Sequence, residues 1–218
     1  MGLRLADGVH AVLVGSDLVL FSPRDDAYFC LPLPEGALTL GQRSLRAELP
    51  GLGQALVESG LVEAAPEAAP VCGAELVVPS RTARRLVDEQ IRSIDRRPRL
   101  RHWRALVLAI LAARRGRSWS MARLVERHGP APDRAPSLRL LSDLTVYRRL
   151  SPWLPVDGLC LFRSHMLLAY LNALGHGARW MFGVRTWPFR AHCWLQVGDV
   201  ALDDEAERLC AYAPIMAV

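Results

Sequence analysis

Cys160 is followed thirty-two positions later by His192 and, twelve further on, by Asp204. In that order the three side chains supply a nucleophile, a base and a group to orient the base, which is the equipment of thiol acyl transfer. A free thiol has a pKa of about 8.5 and is mostly protonated at neutral pH, so it needs help to react. A helix N-terminus and a neighbouring imidazolium both favour the thiolate. A carboxylate on the second imidazole nitrogen completes the set. Asp204 is the first choice for that carboxylate and Asp203 the alternative, because one step along a strand reverses the face.

The surrounding sequence has the elements to hold these groups. Pro155 and Gly158 break the chain before Cys160, and residues 161–174 are apolar on one side and closed by Gly175, so Cys160 is expected at a helix start. Residues 178–183 and 192–197 read as strands joined through 185–189, and Gly198-Asp199 turns into a third strand, 200–202, leading to Asp203 and Asp204. Along such a strand Trp194 shares the face of His192 and is expected to wall the site, with Cys193 facing away. Cys30, Cys72, Cys193 and Cys210 are then small apolar residues. Five scattered cysteines without a C-x-x-C argue against a disulfide framework and a zinc site, so no metal is expected. No glycine-rich phosphate loop is present, and no cofactor is expected.

The first 66 residues have a different pattern. Residues 9–14 and 18–21 flank a glycine turn suited to a hairpin, and 27–31 form a third strand. Leu45, Leu49, Leu52, Leu56, Val57 and Leu61 then recur near helical spacing, with Pro50-Gly51 dividing a short helix from a longer one. This unit is acidic, with four Arg against eight carboxylates up to Glu63. Residues 67–80 have a linker composition rich in Ala and Pro. Residues 81–218 form the second unit, beginning with helices over 82–95, 98–116, 118–129 and 137–150. The 98–116 helix is expected to bury a stripe of Trp103, Leu106, Val107, Ile110 and Leu111. The whole chain is thus expected to be α+β.

All 27 basic residues are Arg, and twelve of them fall within 81–117 against only three carboxylates. Interleaved aromatics are absent there apart from Trp103, so solvated helix faces or a dock for an acidic partner fit better than nucleic-acid binding. The longest apolar run, 105–113, is nine residues, short of the roughly 20 that span a bilayer. With no signal-peptide layout at the start, a cytoplasmic protein without membrane attachment is expected.

The stretches 160–164 (Cys-Leu-Phe-Arg-Ser), 182–185 (Phe-Gly-Val-Arg), Pro188-Phe189, Ala191-His192-Cys193-Trp194 and Asp203-Asp204 resemble the transglutaminase-like leader peptidase of lasso-peptide biosynthesis. The likeness covers residues 80–210 and is most specific in the last sixty. It implies a transglutaminase- or papain-like cysteine peptidase domain with a triad on Cys160, His192 and Asp204. Departures are Cys193 where Ala is common, Gln196 where an acid is common, and His165 where a small or apolar residue is common. The front unit resembles, by pattern and order, the recognition element that accompanies this peptidase, a small winged-helix-like fold of three strands and three helices. An exposed edge strand can pair with an extended leader peptide. Tyr28, Phe29 and Leu31 with Leu52 and Leu56 would form that groove, and Trp194 would contact substrate nearer the cut. The resemblance implies cleavage of leader from core, which frees the core's amine for a separate ATP-dependent, asparagine-synthetase-like cyclase. Two alternatives use the same residues: another Cys-His-Asp acyl transferase, of transglutaminase or N-acetyltransferase type, or a leader-binding adaptor with a relict triad.

Overall fold

A computed structural model describes residues 2–41, 43–65, 76–90, 92–128, 135–154 and 160–218. The front of the chain runs β1 (Gly2–Leu5), β2 (His10–Val14), β3 (Asp17–Ser22), β4 (Ala27–Leu31), β5 (Leu38–Leu40), β6 (Ser44–Ala47), α1 (Leu52–Glu58) and β7 (Val62–Ala64). The rear continues with β8 (Arg81–Thr82), α2 (Ala83–Glu89), α3 (Leu100–Gly116), α4 (Met121–Glu126), α5 (Leu138–Leu150) and α6 (Cys160–Ala173). It ends with β9 (Arg179–Arg185), β10 (Arg190–Val197), β11 (Val200–Ala201), α7 (Ala206–Leu209) and β12 (Ala213–Ala217). The α+β class is as the sequence indicates. Cys72, Pro155 and Gly158 lie outside the described residues.

The front region is richer in strand than expected. It makes a four-stranded sheet, order β5-β6-β1-β7, and a three-stranded sheet, order β2-β3-β4. The expected helix pair over 45–61 is corrected to β6, one short helix and β7, so among the described residues seven strands and one helix stand where three strands and three helices were expected. Leu45 sits in a strand facing Leu3 and Leu40. Pro50 and Gly51, the latter at φ 81, end one element and begin the next. The expected hairpin is present: Val14 pairs with Asp17 around Gly15-Ser16, and Gly15 takes the positive φ of 61 that its two-residue turn requires.

β3 joins the two halves. Leu18 and Leu20 point into the front core with Leu3, Leu5, Leu45, Leu52 and Leu56. Val19 and Phe21, on the opposite face, belong to the large core of the rear half. All six β3 residues are therefore buried. At about 1.5–3 kcal/mol for each large apolar side chain removed from water, this strand fastens the front sheet onto the rear fold. Phe21 stacks on Tyr28 with ring centroids 4.2 Å apart and packs on Phe182 at 6.3 Å. Trp187, in the β9–β10 connection, donates its indole N–H to Asp17 at 2.7 Å.

The rear sheet has the order β12-β9-β10-β11-β8, antiparallel except for the β11–β8 pair. Its middle strands are buried on both faces. One face meets α6 and, behind it, α3 and α5, around Leu141, Leu144, Leu167, Leu171 and Tyr170. The other carries the smaller cluster of Met181, Trp194, Ala201 and Leu209. α6 stops in a Schellman turn: Gly175 at φ 83 donates to Asn172 O (3.0 Å), and His176 donates to Leu171 O (2.9 Å). Asp143, fully buried on α5, receives Arg101 (2.5 and 3.2 Å), His102 (2.9 Å) and His176 (2.8 Å), tying α3 and the end of α6 to α5.

The stripe expected to be buried on α3 holds for Leu106 and the partly buried Ile110 and is corrected for the other three. His102, Ala105, Leu106, Ala109 and Ala113 face inward, while Trp103, Val107 and Leu111 face water. The small inward residues let α3 lie close against α6; Gly116 Cα approaches so tightly that a Cβ there would stand 3.0 Å from the His165 ring. His165 itself is buried and stacks on Trp180. Among the described residues no helix is long and apolar enough to cross a membrane.

Candidate active site

Cys160 is the first residue of α6, and α6 packs across β10, the strand that carries His192. The first N–H groups of a helix have no partner within it, so this end presents the positive side of the helix dipole to the sulfur. The thiol is pulled down to about 4, by hydrogen bonds from the Cys193 thiol and the His192 ring and by the Cys193 backbone N–H, against the opposing effect of burial. His192 is correspondingly raised above its ordinary value by the same bond to Cys160 and by Asp204, again against burial. The two shifts describe a thiolate–imidazolium pair at neutral pH. The Cys193 thiol, nine-tenths buried, is pushed well up by the neighbouring Cys160 sulfur and by burial, so it stays protonated and donates.

Asp204 takes the second ring nitrogen: His192 Nε2 lies 2.6 Å from Asp204 Oδ2. The other carboxylate oxygen accepts the Glu205 N–H (2.8 Å) and faces Arg208 at 3.3 Å, so the carboxylate is aimed before the histidine engages it. Asp203 has a different task. It is half-buried, accepts the Leu195 N–H at 2.7 Å and the Ser164 hydroxyl at 2.7 Å, and desolvation raises its pKa. Ser164 stands one turn after Cys160 on α6, so Asp203 pins the helix that holds the sulfur to the strand that holds the imidazole.

The ring of His192 is held from behind. Tyr212 lies 5.3 Å away and Trp194 6.3 Å away, centroid to centroid. Gly183 pairs directly with His192 across β9 and β10, and its missing side chain leaves the space that Trp194 fills: a Cβ there would stand 2.8 Å from the outer indole carbons and 3.2 Å from Tyr212 Cβ. The sulfur side opens on a cleft of about 390 Å³ lined by Tyr147, Pro152, Arg163, Met166 and Arg208 together with Cys160, His192 and Asp204. The half-buried Cys160 is thus reached from solvent through this cleft.

The structure brings Cys160, His192 and Asp204 together and sorts the remaining expected residues. Tyr28 of β4 is half-buried beside the site: its hydroxyl pKa is raised by burial and then by the neighbouring Cys193, Asp26 and Cys160, and its ring meets Phe189 at 5.8 Å. Phe29 and Leu31 are exposed on β4, which is an edge of its sheet. Leu52 and Leu56 are corrected: α1 turns them into the front core, out of reach of any ligand. Trp194 is corrected from substrate contact to support, because it is fully buried with its N–H on Gln196 Oε1 at 3.1 Å. Cys193, expected to face away, turns its side chain toward α6 and the Cys160 sulfur. Tyr212 and Arg208 escaped the sequence reading, and Ser164 and Gly183 were given no role there, although both lie in the stretches 160–164 and 182–185 that carry the resemblance.

Among the described residues no group of three or more His, Cys, Asp or Glu side chains could hold a metal ion. Comparison with protein families matches the transglutaminase-like superfamily over residues 102–217. No curated protein and no solved structure matches the chain.

Proposed function

Because this chain belongs to the transglutaminase-like superfamily, we propose that it is a cysteine peptidase that binds the leader of a ribosomally made lasso-peptide precursor and cuts it from the core. The observation that carries the enzymatic part is the lowered thiol of Cys160 on the imidazole of His192, which is in turn held by Asp204 at 2.6 Å. The leader part is supported by the motif resemblance and by β4. The outer edge of β4 has no strand partner among the described residues, and β4 runs from Tyr28, beside the sulfur, to the exposed Phe29 and Leu31. A peptide added to that edge would lie alongside the cleft that ends at Cys160.

The chemistry follows from the pair. The Cys160 thiolate attacks the carbonyl carbon at the leader–core junction, and the Cys160 N–H, at the helix start, faces the oxyanion that forms. His192, already protonated, gives its proton to the departing amine, so the core leaves with a free α-amino group. The neutral imidazole then takes a proton from water, which attacks the thioester and releases the leader as a carboxylate, restoring the thiolate. Asp204 keeps the ring oriented through both halves. The freed amine is the group that a separate ATP-dependent, asparagine-synthetase-like cyclase would consume.

The test is to incubate the full chain with a lasso-type precursor peptide and weigh the products. Hydrolysis leaves a leader ending in a carboxylate and a core with a free amine. Cys160→Ala should abolish both products while a fluorescein-labelled leader still binds, since the β4 edge is untouched. An amide on the released leader would instead mark a transferase, and equal turnover by Cys160→Ala a non-catalytic adaptor.

A further inference from the structure

The seventeen residues of α3 contain no carboxylate, and its outer face carries large apolar side chains among arginines. Trp103, Val107 and Leu111 recur every fourth residue, flanked by Leu100 and Leu108; all five are exposed, with Leu100 at 76 % and Val107 and Leu108 at 56 % each. Large apolar side chains gathered and exposed on one helix face mark a surface for a partner. Here the inner side is already occupied by α6, so the outer side is the one left uncovered.

The charges on that face say what would cover it. Arg104, Arg114 and Arg115 interleave with the apolar side chains and are exposed. None of the three has an ion pair among the described residues, whereas Arg101, on the flank, is committed to buried Asp143. The stripe is therefore an apolar ridge about 17 Å long, from the 1.5 Å rise per residue, with three guanidinium groups unanswered along its sides. Guanidinium groups beside an apolar seam match carboxylates flanking an apolar seam on another helix.

We propose that the outward face of α3 is a docking surface for an acidic amphipathic helix of a partner protein. Leucine-type side chains spaced three and four apart would pack between Trp103, Val107 and Leu111, and Glu or Asp side chains at the margins would pair with Arg104, Arg114 and Arg115. No residue of α3 lines the Cys160 cleft, so a partner seated on this face leaves the sulfur open. The inference goes beyond the peptidase reading and does not depend on it.

The experiment uses the full chain and two fluorescein-labelled synthetic helices with leucines at the seam, one flanked by glutamates and its twin by lysines, read by anisotropy. The glutamate peptide should bind, more weakly as salt rises from about 50 to about 500 mM. Leu111→Glu should weaken it by about tenfold or more, since a charge is then pressed into the seam. The double variant Arg104→Glu, Arg115→Glu should lose the glutamate peptide and gain the lysine twin, a reversal that a misfolded protein cannot give. Equal binding of both peptides by the unaltered chain, or of neither, overturns the proposal. So does binding to vesicles of phosphatidylglycerol and phosphatidylcholine that Leu111→Glu abolishes, which makes the face a membrane contact. Sedimentation showing self-association lost in Leu111→Glu would assign the face to a second copy of the chain, with the same consequence for the proposal.

Discussion

Gly183→Ala adds a single methyl group that never touches the cleft, yet it should disable the site. The added Cβ would stand 2.8 Å from two carbons of the Trp194 indole and 3.2 Å from Tyr212 Cβ. Comfortable carbon contacts begin near 3.5 Å, so the indole must withdraw by about 0.7 Å. Trp194 has no room to do so quietly, being fully buried and fixed to Gln196. Overpacking of this kind costs about 1–3 kcal/mol, a fall in melting temperature of roughly 2–10 °C for a chain this size. The larger effect is on chemistry, because Trp194 and Tyr212 back the His192 ring. A displacement approaching 1 Å at a catalytic group lowers turnover by up to about a hundredfold. Thermal unfolding and steady-state cleavage of the precursor read the two effects separately. The companion variant Trp194→Phe removes the outer indole carbons that the methyl would strike, so the double variant should recover a large part of the loss, a non-additive result. Gly183→Ala with unchanged stability and turnover, or losses that simply add in the double variant, would refute the packing argument.

The two neighbouring aspartates should part company. Asp204→Asn is expected to cripple turnover with little change in melting temperature. Asp203→Ala leaves the Leu195 N–H without its acceptor, while the Ser164 hydroxyl keeps a longer bond to Cys193 O (3.4 Å), and should cost about 1–3 kcal/mol of stability; urea unfolding beside kinetics decides, and the reverse ranking would reassign the orienter. Cys193→Ala removes a donor to the sulfur, so the acid limb of the pH–rate profile should move upward while the alkaline limb stays; an unmoved acid limb would mean the thiol contributes nothing. The Asp143 carboxyl is lowered despite its burial, by hydrogen bonds from His176 and His102 and the charge of Arg101. A lowered carboxylate adds stability above its unfolded pKa and loses it as pH falls through the folded one. Stability should therefore decline below about pH 4, and Asp143→Asn should flatten that decline while lowering stability at neutral pH, as followed by urea unfolding across pH.

Much of the site was legible because its parts are local. A helix start at Cys160, a strand through His192 and a turn at Gly198 each have short-range signatures, and the 32- and 12-residue separations fit them. What the sequence did not reveal depends on tertiary choice. The leucines from 45 to 61 fit a helix by spacing, but cross-strand partners in β1 and β5 claim Leu45, and Pro50-Gly51 cuts the run. On α3 both faces are apolar, so periodicity could not say which was inward; small alanines, which let α6 approach, decided it. Cys193 was assigned outward by strand alternation, which fixes opposite faces but not which face α6 would cover. Trp194 was placed beside His192 correctly, and only the depth of its burial removed it from substrate.

The account rests on a sulfur already ionised by its neighbours, and the pH dependence of Cys160 alkylation by iodoacetamide, followed by mass spectrometry, reads that directly. In the unaltered chain the rate should be half-maximal near pH 4 and level by neutrality, with His192→Ala moving the midpoint upward. A midpoint near the ordinary thiol value of about 8.5, indifferent to His192→Ala, would contradict it.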